Sequence, residues 1–232
     1  MSSSKINNSV SDEVAPENQV VSRARVANHG EVYTNSREVN SMLNMVKHET
    51  ERIDSRFLEP ACGRGNFLIE VLSRKLNVVE NKYKKSQIEF ECYSIIAIGS
   101  IYGIEILEDN VIECRKRLIN IFKEVYEKIY KKNSNDECIK ILEFILSKNI
   151  VWGDALTFQT AHNPKKPIVF SEWSPATEGF IKRRDYSFEG LLIHSEIESL
   201  PLFSDMGDGV FIPTPIADFP MTTYLGIIND SK

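Results

Sequence analysis

Side chains able to do chemistry recur where short apolar stretches end: Glu59, Glu105 and Asp154, then Ser171 with Glu172. Beside the first lies Gly63-Arg64-Gly65. Glycines let backbone approach a ligand closely and present N–H groups at a helix N-terminus. In an open parallel sheet, ligands sit beyond the carboxyl ends of the strands. Acids at successive strand ends would therefore face one bound molecule. Glu105 is positioned to accept hydrogen bonds from ribose hydroxyls, and Asp154 to accept one from an adenine amino group. Leu68 stands where a dinucleotide site has its third glycine, and Glu59 just before the turn would repel a pyrophosphate. An acid there suits an amine or a sulfonium, which points away from NAD and towards S-adenosylmethionine.

The elements that must hold these groups follow from hydrophobic spacing. Val39, Leu43 and Val46 predict a helix over 36–46 with Ser36 as N-cap. Arg56-Phe57-Leu58 predicts a strand, and Phe67, Leu68, Val71, Leu72 and Leu76 predict the helix after the glycine turn. Strand, glycine turn and helix open a nucleotide-binding βαβ unit. Residues 77–92 are charged and read as a loop and a helix start. An apolar segment through Ile98 then reads as a buried helix before the strand Tyr102 to Ile106. Asn110 with Glu113 resembles a capping box, and Val111, Cys114, Leu118, Phe122, Val125 and Ile129 mark one stripe of a long helix. Cys138 to Ile145 predicts another helix, and Asn149 to Trp152 and Ile168 to Phe170 predict two further strands. Alternating strands and helices predict an α/β fold with a mainly parallel sheet.

The chain has 232 residues, a net charge of −5, 42% hydrophobic residues and 26% charged ones. That composition supports a core and excludes disorder throughout. The charge is unevenly spread: residues 1–184 hold 27 Lys/Arg against 25 Asp/Glu, whereas 185–232 hold one Lys and eight acids. The resulting division is a disordered lead-in over 1–20, a cofactor-binding domain over 21–184 and an acidic irregular segment over 185–232. Cys62, Cys92, Cys114 and Cys138 lack metal-ligand spacing and read as reduced thiols, so no metal is expected. With no signal-peptide apolar region and no apolar run near the ~20 residues a bilayer needs, the expectation is a cytoplasmic protein without membrane contact.

Phe57-Leu58-Glu59-Pro60-Ala61-Cys62-Gly63-Arg64-Gly65-Asn66-Phe67-Leu68 resembles the cofactor motif of S-adenosylmethionine-dependent DNA amino-methyltransferases, especially the adenine-N6 branch. Gly30-Glu31-Val32-Tyr33-Thr34 resembles the motif which that family places upstream. Tyr102-Gly103-Ile104-Glu105-Ile106 resembles its ribose-binding strand, and Trp152-Gly153-Asp154-Ala155 its adenine-contacting strand end. The order fits the gamma arrangement and the modification subunits of restriction–modification systems, over about residues 25–175. The resemblance implies a Rossmann-like methyltransferase fold, incomplete on its C-terminal side. It implies that Tyr33 and Thr34 meet the methionine end of the cofactor, and that Glu59, Ala61, Gly63 and Gly65 hold its amino-acid part. Glu105 would take the ribose hydroxyls, Ile106 would pack on the adenine ring, and Asp154 with Ala155 would bind the adenine amine.

The family's catalytic motif pairs a polar residue with Pro-Pro and an aromatic, so that acceptors hold the target amine while a ring stacks the flipped base. Here the corresponding strand reads Phe170-Ser171-Glu172-Trp173-Ser174-Pro175. Ser171, Glu172 and Trp173 are the catalytic candidates, without the Pro-Pro pair. Lys182-Arg183-Arg184, with Lys165-Lys166, reads as a phosphate contact or as a plain solvated patch. Only 57 residues follow Pro175, short for the remaining strands and a target-recognition domain. The expected function is methyl transfer to an adenine amino group in DNA, as a homodimer or with a specificity subunit. The alternatives are a catalytically impaired cofactor-binding or assembly protein, and a methyltransferase acting on another substrate.

Overall fold

The computed structural model describes residues 25–27, 34–176, 179–192 and 213–229. The lead-in expected over 1–20 lies outside them, as does Tyr33. Three parallel strands form the frame: β1 (Phe57–Glu59), β2 (Ile101–Glu105) and β3 (Ile150–Asp154), side by side in that order. Short β4 (Gln159–Thr160) follows antiparallel to β3. The helices include α1 (Ser36–Met45), α2 (Lys47–Thr50), α3 (Asn66–Tyr83), α4 (Gln87–Gly99), α5 (Glu108–Tyr130) and α6 (Asp136–Asn149). A second sheet is antiparallel throughout: β5 (Val169–Pro175) pairs with β6 (Phe180–Ser187), and β7 (Ala217–Asp218) and β8 (Thr222–Thr223) both add to β6. The expectation of a mixed α/β protein with a mostly parallel main sheet is borne out.

Strand alternation explains the layering. Every residue of β2 is buried. Ile101 joins the large helical core, while Tyr102 and Ile104 turn to a second cluster with Ile168, Phe170 and Phe188. Gly103 faces the helical side, where an added Cβ would stand 2.8 Å from Cys62 Sγ and 3.1 Å from Leu68 Cδ1. Thus β2 is sandwiched between helices and the β5–β6 hairpin.

Several boundaries differ from the sequence reading. The cap of α1 is Asn35 rather than Ser36, its Oδ1 accepting from the Glu38 amide at 2.9 Å. Only 84–86 separate α3 from α4, so most of the charged 77–92 stretch is helical. Beneath its charges Val79 and Phe90 are fully buried, and that anchoring outweighs local polarity. Asn110 is not the N-cap: that position is Leu107, α5 starts at Glu108, and Asn110 is buried in its first turn.

The largest difference concerns β5, expected as another strand of the parallel sheet. It crosses one face of that sheet towards the amino ends of the strands. Phe170 meets the Tyr102 ring edge-on at 5.2 Å. The Ser171 amide donates to Asn149 Oδ1 at 3.0 Å, and Asn149 Nδ2 donates to the Gly99 carbonyl at 3.1 Å. Gly99 and Asn149 immediately precede the β2 region and β3. The physical reason is local: only four residues of sequence separate β5 from β6, whereas parallel pairing needs a long crossover.

β6 continues past the division expected at 184/185, and the chain returns to it over 213–229. Ile227 is buried in the helical core, and the Tyr224 hydroxyl donates to Glu91 Oε2 at 3.0 Å. The basic run on β6 is matched internally. Lys182 pairs with Asp218, Arg183 is buried against Asp185 at 2.7 Å, and Arg184 lies 3.8 Å from both Glu172 and Asp218. The phosphate-contact reading of this run therefore finds no support. No described helix is long and apolar enough to cross a membrane.

Trp173 is 5% exposed, in the helical core beside Gly99 and edge-on to Phe144 at 6.2 Å. Trp173→Ala is expected to lower unfolding free energy by about 3–5 kcal/mol in urea denaturation. A loss under about 1 kcal/mol would contradict this packing.

Candidate functional site

A cavity of about 600 Å³ opens at the carboxyl ends of β1, β2 and β3. Its walls include Thr34, Glu59, Ala61, Gly63, Glu105, Ile106, Asp154 and Ala155, all anticipated from the sequence. Adjacent strands lie roughly 4.8 Å apart, so β1 and β3 hold their terminal acids on the order of 10 Å from each other. The cavity is therefore elongated across the sheet, with a carboxylate from each strand.

The glycine turn is built by backbone geometry. Gly63 and Gly65 have φ of 51° and 82°, in the left-handed region that glycine tolerates best. The Gly65 amide donates to the Cys62 carbonyl at 2.7 Å and the Cys62 amide to the Ile104 carbonyl at 2.9 Å, closing the turn against β2. Gly65 itself does not line the cavity. A Cβ there would stand 2.6 Å from Cys114 Sγ, so its absent side chain serves the contact with α5.

Glu105 is buried and accepts two backbone donors: the Gly63 amide at 2.8 Å on Oε2 and the Leu107 amide at 2.9 Å on Oε1. Each carboxylate oxygen keeps further acceptor capacity for a ligand hydroxyl. Asp154 accepts from the Leu156 amide at 2.9 Å, which orients its carboxylate at the cavity wall. The Trp152 indole N–H donates to the Ile106 carbonyl at 3.0 Å, fixing the backbone of that apolar wall residue. Leu156, 90% exposed, extends the apolar wall beyond Ala155.

Glu59 has a different character. Its Oε2 is buried without a hydrogen-bond partner. Burial, with the Glu105 charge as a second cause, pushes its pKa up to about 8. Such a carboxyl gains most from a cationic or N–H-bearing group brought into the cavity. Among the described residues no cluster of three metal-ligating side chains occurs. Cys62, Cys92, Cys114 and Cys138 are free, and Cys62 and Cys114 are buried. The Cys62 thiol, whose pKa is raised first by its hydrogen bond to Cys114 and then by burial, is no nucleophile.

The three catalytic candidates are not brought to this cavity. The Ser171 hydroxyl, 1% exposed, donates to Asp185 Oδ1 at 2.8 Å. Glu172 accepts from Arg56 at 3.1 Å and from the Tyr186 hydroxyl at 3.3 Å. Trp173 lies in the core, and none of the three is a wall residue. Conversely, the cavity recruits Asn66, Phe67, Asn110 and Leu156, to which the sequence reading assigned no individual contact with a ligand. Position alone could have flagged Asn66 and Phe67, which follow the glycine turn directly, and Leu156, which follows Ala155. Asn110 carries no such signal, because only the packing of α5 turns it inward.

A strand, glycine turn and helix, with acids at three successive strand ends, meet at one cavity of a mixed α/β domain. Residues 33–167, more than half of the chain, match the family described as MmeI, DNA-methyltransferase domain. The chain belongs to that family, and the expected kinship with restriction–modification methyltransferases is borne out. No curated protein and no solved structure gave a match. The family match contains every residue assigned above to the cofactor and ends before Ser171.

The raised Glu59 pKa has a consequence for stability. An acid harder to ionise when folded stabilises fully below its unfolded value of 4.5, and that contribution is lost as pH rises through about 8. Glu59→Gln is therefore expected to melt at a higher temperature than wild type above pH 8, and to show no such gain near pH 4. Scanning calorimetry checks this; identical differences at both pH values would contradict a buried, protonated Glu59.

Proposed function

We propose that this chain is a DNA methyltransferase domain of the restriction–modification type that binds S-adenosylmethionine in the cavity at the ends of β1, β2 and β3. One observation carries the reading: Glu59, Glu105, Asp154 and Thr34, far apart in sequence, line a single elongated cavity. The residues fit the ligand. Glu105 suits the ribose hydroxyls, Asp154 the adenine amine, and Ile106 the adenine ring. Thr34, Glu59 and the backbone of Ala61 and Gly63 suit the methionine part. The unpartnered Glu59 carboxyl would meet the positive charge at that end. Bound S-adenosylmethionine supplies an electrophilic methyl group. A Rossmann-like reading of the sheet rests on the parallel β1–β2–β3 order, and adenine N6 as the acceptor rests on the motif resemblance.

A second reading, a cofactor-binding protein without turnover of its own, is favoured by the burial of Ser171 and Trp173 away from the cavity. Under that reading, acceptors for the target amine come from a partner, such as a specificity subunit or a second copy.

Calorimetric titration with S-adenosylhomocysteine tests the binding step. Wild type is expected to bind, and Glu105→Ala to lose about tenfold or more in affinity, as removal of a charged acceptor does. No binding by wild type would remove both readings. A labelled-methyl assay on duplex DNA then separates them. Label on adenine from this chain alone supports turnover, whereas binding without label until a partner is supplied supports the second.

A further inference from the structure

Outside the cavity, one face of α5 grips the glycine turn. Glu113 accepts from Arg64 at 3.1 Å, Cys114 packs under Gly65, and Arg117 stands one helical turn further on. The Arg117 guanidinium donates through Nη1 to the Arg64 carbonyl at 2.8 Å and to Asn66 Oδ1 at 2.8 Å. Asn66 uses its other end: Nδ2 donates to the Thr34 carbonyl at 3.0 Å. A half-buried cation thus joins the glycine turn and, through one side-chain amide, the backbone at Thr34. Arg117 is not a wall residue, while Thr34, Arg64 and Asn66 are.

We propose that Arg117 is a positioning residue for the amino-acid end of the ligand, resting on the S-adenosylmethionine reading above. The argument is geometric. With Oδ1 accepting from Arg117, the Asn66 amide group is held in one of its two flipped orientations, and only in that orientation does Nδ2 face Thr34. Without Arg117, Oδ1 loses its charged donor and the link from turn to Thr34 loses its anchor. Through Arg64 and Asn66 the hydrogen bonds of Arg117 reach the end of the cavity formed by Thr34 and the turn. The opposite end, with Asp154 at the end of β3 and Ala155 just after it, shares none of these hydrogen bonds. Loss of Arg117 is therefore selective: it loosens the hold on an amino-acid tail and spares the adenosine end.

The test compares two ligands by calorimetry: S-adenosylhomocysteine, which carries the tail, and 5′-methylthioadenosine, which lacks it. Arg117→Ala is expected to weaken the first about tenfold and the second less than about twofold. Arg117→Lys, which keeps a donor cation, should recover part of the loss. Equal weakening of both ligands means a general structural role and overturns the proposal, as does unchanged binding of both. Should Arg117→Ala fail to fold, Arg117→Lys carries the same comparison. Hydrogen exchange adds a second readout in that variant: faster exchange confined to residues 34–36 and 64–66 is expected, and no change there overturns the proposal. If wild type binds neither ligand, the S-adenosylmethionine reading itself has failed. Wild-type binding with an unselective Arg117 variant removes this inference alone.

Discussion

The Gly63 amide donates to the Glu105 carboxylate at 2.8 Å, across 42 residues of sequence. Much of the site depends on that bond. It ties the turn after β1 to the end of β2, and the Cys62 amide bonded to the Ile104 carbonyl repeats the tie one step deeper. The turn can lie so close only because Gly103 leaves room for Cys62 and Leu68, and Gly65 leaves room for Cys114. Side chains at either glycine would push α3 or α5 away and open the cavity floor. The cavity is thus a consequence of close packing, with Glu105 both a structural acceptor and a wall residue.

Around that junction the molecule divides its labour. The carboxyl ends of β1, β2 and β3 carry the polar groups, while the hairpin β5–β6 covers one sheet face with Ile168, Phe170 and Phe188. Arg183 shows how far the hairpin is committed to structure. Its guanidinium is bonded to Asp185 at 2.8 and 2.7 Å and lies 4.1 Å from the Phe219 ring centroid. Ser171 donates to the same Asp185. Ser171, which reads as reactive in one dimension, belongs in three to a buried hydrogen-bonded network with Asp185 and Arg183, as burial demands of charged groups.

The electrostatics follow the same division. Glu59 and Glu105 share one cavity, and burial with mutual repulsion keeps Glu59 protonated to about pH 8. Lys182 and Arg184 on β6 face Asp218 from the C-terminal part. One acid of that part, Asp218, is therefore used in pairing along β6.

The sequence by itself determined most of the cavity wall. Glu59, Glu105 and Asp154 were legible because strand ends and glycine turns are local signals, and parallel strands put their ends together whatever covers them. The family motifs were legible for the same reason, lying in contiguous runs. Tertiary structure alone decided the rest. The partner of β5 could not be read from its own residues, because an apolar strand pairs equally well with a neighbouring hairpin or a distant parallel edge. Trp173 became core and Asn110 became cavity wall through packing between elements distant in sequence. Arg117 acquired its contacts only when α5 was laid against the turn, a distance relation that no spacing along the chain encodes.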